Sequence, residues 1–221
     1  MIELDRSAGE IAAERAMAAR EARVIERIER IVAATLDALT EVGVGITLEE
    51  VVKRAGVSRR GVHTLFESFD DLLLAAFDEA AQGRLERQRE VFAAHAGDPI
   101  GQLAETLRVR WTWFDGEPVH LSRARAVLYP TLRPRRSRDH EVSRWTAASA
   151  FAPAVAELRR AEMLRSPALD DVELVDAINQ YVKGRLTDRV LAVAPEVASL
   201  PADPAGFDHV WRVVRALVLA D

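Results

Sequence analysis

The chain has 221 residues, 49% of them hydrophobic, which is enough to bury a sizeable core in one domain or in two small ones. Its 35 acidic and 30 basic residues leave a formal net charge of −5, so any affinity for a polyanion must come from a local concentration of positive charge. The absence of cysteine excludes disulfides and thiolate metal sites, no apolar run is long enough for a membrane span, and no signal-peptide pattern opens the chain, so a cytoplasmic protein with no membrane partner is expected.

Residues 1–22 are rich in Ala, Arg and Glu, strong helix formers that predict a helical or nascent extension. Glu3, Asp5, Glu10 and Glu14 cancel its arginines, which favours a solvated or frayed end over an arm reaching DNA. Val24, Ile25, Ile28, Ile31, Val32, Thr35, Leu36, Leu39 and Val42 form an apolar stripe at helical spacing, predicting a helix from Arg23 to Val42 that Gly43-Val44-Gly45 ends.

The stretch Thr47 to Leu72 reads as two short helices joined by a tight turn and leading into a longer one. Thr47-Leu48-Glu49-Glu50 has the form of a capping box, so a helix is expected from Leu48, with Leu48, Val51, Val52 and Ala55 on one face. Gly56 suits a left-handed helix end. Ser58 is an N-cap for a second helix with Val62, Leu65 and Phe66 inward and Arg59, Arg60, Gly61, His63 and Thr64 outward. Such a pair packs at the steep angle of a helix-turn-helix. Between Val51 and Phe66 stand Lys53, Arg54, Arg59 and Arg60 and no acid, as a phosphate-contacting face requires, although charge alone leaves a chance basic helix equally open.

The run from Ile46 to Leu73 resembles the DNA-binding signature of the TetR family of bacterial transcriptional regulators, most of all in Ala55-Gly56-Val57-Ser58, in Phe66, and in Ser68 followed by the double Leu. The resemblance covers about the first third of the chain. It implies an all-α fold, with a three-helix DNA-binding head at 23–69 and a helical-bundle body for ligand binding and dimerisation at 70–221. It also implies a homodimer reading a palindromic operator in double-stranded DNA through Thr47, Ser58, Arg59, Arg60, Gly61, His63 and Thr64. Two positions depart from the family: His63 stands where a phosphate-contacting Tyr is usual, and Phe69 where a Lys is usual. Each lost contact would weaken the grip on the backbone. Arg60 and Thr64 remain able to reach bases, Arg as a bidentate donor to guanine.

Ser68 begins a long helix from Phe69 to about His95, whose first-turn Asp70 and Asp71 suit the positive end of its dipole. Gly97-Asp98-Pro99 breaks it, and from Ile100 onward five or six helices are expected, with no alternating strand pattern. The basic run Arg133-Pro134-Arg135-Arg136-Ser137-Arg138 reads as a solvated loop. Body aromatics are the candidate lining of a ligand cavity: Trp111, Phe114, Tyr129, Trp145 and Tyr181, with His120 as a polar member. Aromatics at helical spacing are more often plain core. Their apolar bias points to a lipophilic or aromatic effector.

Two C-terminal helices carry more apolar surface than one neighbour covers, which suggests a twofold interface using Val175, Ile178, Val182, Val210, Trp211 and Val214. No nucleophile elbow, phosphate-binding glycine loop or useful pair of carboxylates is visible, and the histidines lack ligand spacing, so no enzyme, no cofactor and no metal is expected. The reading is a ligand-responsive repressor. Its competitor is a protein that keeps the regulator fold but, with DNA binding weakened at His63 and Phe69, works through a protein partner.

Overall fold

A computed structural model describes residues 8–132, 151–165 and 169–220. Among them are nine helices and no strand. The first, α1, runs unbroken from Ala8 to Val42, longer than the apolar stripe alone requires. Residues 14–26 are exposed throughout, so Val24 and Ile25 stand in solvent, and burial begins in earnest at Ile31. The helix therefore extends well past the core that holds it, sustained by residues of high helix propensity. It ends in a 3-10 turn, Gly43–Gly45, where Gly43 takes a φ of 69° that only glycine adopts without strain.

The expected caps all form. Thr47 and Glu50 make both halves of the capping box at the start of α2 (Leu48–Ala55). Gly56 closes that helix at φ 64°, its N–H donating to the Val52 carbonyl. Ser58 Oγ accepts from Gly61 N at 3.0 Å to open α3, a five-residue helix from Arg59 to His63. Ser68 accepts the Asp71 N–H at the start of α4 (Phe69–Ala94) while its hydroxyl donates to the Asp71 carboxylate at 2.8 Å, so Asp71 takes the side-chain proton rather than reaching back to a backbone N–H.

The body comprises α5 (Pro99–Thr112), α6 (Val119–Leu132), α7 (Ala152–Arg160), α8 (Asp171–Ala192) and α9 (Pro204–Val218). An aspartate N-cap followed by proline starts both α5 and α9, a pairing that stops one segment and launches the next. Among the described residues two large cores form, beside a small cluster of Val119, Val190 and Leu200. One joins α5, α7, α8 and α9 around Leu107, Trp111, Phe151, Ile178 and Phe207. The other joins α1, α2, α3 and the first half of α4 with Leu121, Ala124 and Leu132 of α6. Helix α6 thus packs into the core of the head, although it follows α5 in sequence. Helix α4 belongs to both: Leu72 to Phe77 fill the head core, and farther along Gln88 donates to the Thr106 carbonyl of α5 at 3.1 Å. The segment before α9 is strapped to the start of α6 by backbone bonds, among them Gly116 N to Leu200 O at 2.8 Å and Leu200 N to Glu117 O at 2.9 Å.

Candidate nucleic-acid interface and body cavity

Six of the seven expected head residues are exposed together around α2 and α3: Thr47, Ser58, Arg59, Arg60, His63 and Thr64. Gly61 is not on that outward face. It is buried, and a Cβ there would lie 2.2 Å from Nη2 at the end of the flexible Arg27 side chain of α1. The exposed cations are not equivalent. Arg54 is held by Glu41 of α1, Nη1 donating to Oε1 at 2.9 Å, and the pair keeps the Glu41 carboxyl below its usual range. Arg59 pairs with Glu49 at 2.9 Å. Arg60 and Lys53 have no carboxylate partner among the described residues. Thr64 Oγ1 donates to the Arg60 carbonyl at 2.8 Å, leaving its lone pairs and methyl outward. Phe69 is half-buried and packs against the head core, offering no cation there.

The body holds a cavity of about 160 Å³ between α4, α5, α6 and α8. Phe114 and Tyr129 line it, as the sequence suggested. Three other expected members, Trp111, His120 and Tyr181, do not. Trp111 is a core residue whose indole N–H donates to the Asp203 carbonyl at 2.8 Å, which fixes α5 to the start of α9. His120 is exposed, its side chain against Gly43, and Tyr181 packs on the α5–α9 core. Trp145 lies outside the described residues, as does the basic run Arg133 to Arg138.

The residues that sequence reasoning missed are basic. Each helix brings a cation to the cavity: Phe77, Ala80, Ala81 and Arg84 from α4; Arg110 from α5, with Trp113 and Phe114 just past its end; Ser122, Arg125, Ala126 and Tyr129 from α6; Lys183, Leu186, Thr187 and Val190 from α8. An arginine recurring on an otherwise apolar stripe was the available signal. Arg125 donates from Nη1 to both Glu117 oxygens at 2.7 and 2.9 Å and lies over the Phe114 ring at 5.2 Å from its centroid. Phe77 meets Tyr129 edge to face at 6.0 Å. Burial, reinforced by the neighbouring Arg125, holds the Arg84 guanidinium below its ordinary pKa.

The expected interface residues Val175, Ile178, Val182, Val210 and Val214 are all at 2% exposure or less within a single chain, because α8 and α9 turn those faces onto α5 and α7, and so they are closed to a partner. Trp211 is half-buried against the same core. The apolar side chains left outside on these helices are others, chiefly Val172 at 77% and Leu217 at 54% exposure. Among the described residues no cluster of three or more His, Cys, Asp or Glu could hold a metal, and no helix is long and apolar enough to cross a membrane.

No family model matches the sequence, and no curated protein matches it. Solved structures do. The fatty acid degradation regulator FadR from Bacillus halodurans superposes with a TM-score of 0.65 over 85% of this chain and 94% of its own, at 14% identity. A transcriptional regulator from Rhodococcus sp. Rha1 gives 0.59 over 88% and 98%, at 21% identity. A TetR transcription regulator from Haloarcula marismortui gives 0.59 over 88% and 99%, at 18% identity. From the helix-turn-helix through the body bundle, the chain has the all-α fold of the TetR transcriptional regulators.

Proposed function

We propose that the protein is a DNA-binding, ligand-responsive transcriptional regulator, a homodimeric repressor whose heads (23–69) read a palindromic operator and whose bodies (70–221) bind an effector and each other. The observation that carries this reading is that the cavity and the head share walls. Phe77 lines the cavity and is buried in the head core, and α6 contributes both Arg125 to the cavity and Leu121, Ala124 and Leu132 to that core. An effector that fits one spacing of α4 and α6 better than another therefore biases the angle of α3, and its influence equals its differential affinity for the two arrangements.

At the head, Arg60 is the strongest candidate for base contact, being exposed and without a carboxylate partner among the described residues. Ser58, Arg59, His63 and Thr64 flank it, and Thr47 stands at the start of the helix that positions α3. For the dimer, Val172 and Leu217 are the apolar surface that a second copy would cover, replacing the buried valines.

The test is selection of duplexes from a random pool with the full chain, followed by anisotropy titration of the best site at two salt concentrations. An enriched palindrome whose affinity falls steeply with salt is the expected result, and Arg60→Ala should lower the affinity and relax selection at one position of each half-site. Failure to enrich any sequence at low salt would sink this reading and favour a protein partner for the exposed face of α3.

A further inference from the structure

We propose that the body cavity takes an organic acid, a carboxylate on a compact aromatic or medium-length aliphatic body, with Arg84 and Arg125 holding the carboxylate. This rests on reading the body as the effector-binding part. Among the described residues, four cations line the cavity (Arg84, Arg110, Arg125 and Lys183) and no acid does. Two carboxylates adjoin it, and neither satisfies the arginines. Glu117 takes the Arg125 Nη1 hydrogens and leaves Arg125 Nε and Nη2 buried without an acceptor. Asp78 accepts from the Tyr129 hydroxyl at 3.4 Å, and Arg84 Nε is likewise buried without an acceptor. Buried donors left unpaired cost free energy in the empty protein, so the arrangement gains most from a ligand that brings oxygen lone pairs and a negative charge.

The remainder of the lining excludes a bare inorganic anion as the best fit. Phe77, Trp113, Phe114, Leu186 and Val190 are apolar, and about 160 Å³ is the scale that accommodates a benzene-sized body. Arg125 is also pre-positioned on the cavity wall, over Phe114 and bound to Glu117 through Nη1, so its charge is held there with little further loss of side-chain freedom. Lys183, on the exposed side of α8, extends the positive field to the outside, where it favours entry of anions.

The experiment is calorimetric titration of the full chain with matched probes: phenylacetate against 2-phenylethanol, octanoate against 1-octanol, and inorganic phosphate. Carboxylates should bind at least about tenfold more tightly than the neutral alcohols, the ratio expected for a charge-assisted hydrogen bond, and more tightly than phosphate. Arg84→Met should lower carboxylate affinity by about tenfold and leave the alcohols within roughly threefold, while Arg84→Lys should retain part of the difference. Equal binding of acid and alcohol, no binding of either, phosphate binding as tight as the carboxylates, or an Arg84→Met variant that binds acids unchanged would each overturn the proposal. The wild-type comparison stands even if a variant misfolds. Because no DNA is involved, carboxylate discrimination by a chain that selects no duplex would overturn the regulator reading alone, and duplex selection without that discrimination would overturn this inference alone.

Discussion

The molecule carries two groups of arginines, and they are held in opposite ways. In the head, Arg54 and Arg59 reach carboxylates across the surface, and Arg60 stands in solvent on a five-residue helix. In the body, Arg84 and Arg125 lie between helices with hydrogen-bonding nitrogens that find no acceptor. Water solvates the first group at little cost, so those cations can wait for a polyanion while contributing almost nothing to stability. The second group is partly desolvated by its neighbours, and each buried donor nitrogen without an acceptor among the described residues carries a cost. In the proposed reading, one residue type would serve two kinds of anion recognition: long-range and salt-sensitive outside, short-range and desolvated inside.

The largest effect expected from breaking this comparison comes at the wall the two regions share. Phe77→Ala removes a ring that is 1% exposed, meets Tyr129 edge to face and lies under Arg125, so unfolding by urea should show a loss of about 3–5 kcal/mol. A loss below about 1 kcal/mol would mean that cavity and head do not share a core. Next in size is the difference between the exposed arginines. Arg60→Ala should reduce the slope of log affinity for the operator against log salt by about one, and Arg59→Ala by less, since Glu49 already competes for that guanidinium. Equal slopes for the two variants would remove the distinction drawn here between free and paired cations.

Thr47→Ala deletes the capping box that starts α2 and should cost about 1 kcal/mol, read by thermal unfolding. The body arginines should respond with the opposite sign. Removing a buried cation without an acceptor in Arg84→Met should leave the empty protein as stable or raise its melting point by about 2–4 °C, and a clear drop would show that Arg84 is satisfied in the empty state. The smallest effect is at Glu41. Arg54 holds its carboxyl below the usual range, so the pair's contribution is fully present above the ordinary carboxylate pKa and is lost as pH falls through the lowered value. Melting points of wild type and Glu41→Gln should therefore differ slightly near neutrality and converge in acid; a difference that persists in acid would assign the effect to something other than this pair.

Local chemistry made much of the head legible. Thr47, Glu50, Gly56, Ser58 and Ser68 act on backbone groups within four residues of themselves, and each does so as its spacing indicates. Gly61 is readable from spacing as outward, and the structure buries it because tertiary packing, not position along a short helix, sets its exposure. Val24 and Ile25 misled for a related reason: periodicity identifies a face, and it says nothing of where along a 35-residue helix the partner stops.

The sequence by itself determined the caps and turns of the head and the helix-turn-helix with its basic stretch, because capping, turn geometry and apolar periodicity are interactions between residues close in the chain. Tertiary structure alone decided that Val175, Ile178, Val182, Val210 and Val214 turn inward, that α6 joins the core of the head, and that arginines from three helices meet at one cavity. A valine is equally content against its own chain or a partner's. A long amphipathic arginine stem can lead its charge to solvent or between helices. In both cases the choice depends on which helices pack together, and contacts across the fold, not spacing along the chain, fix that packing.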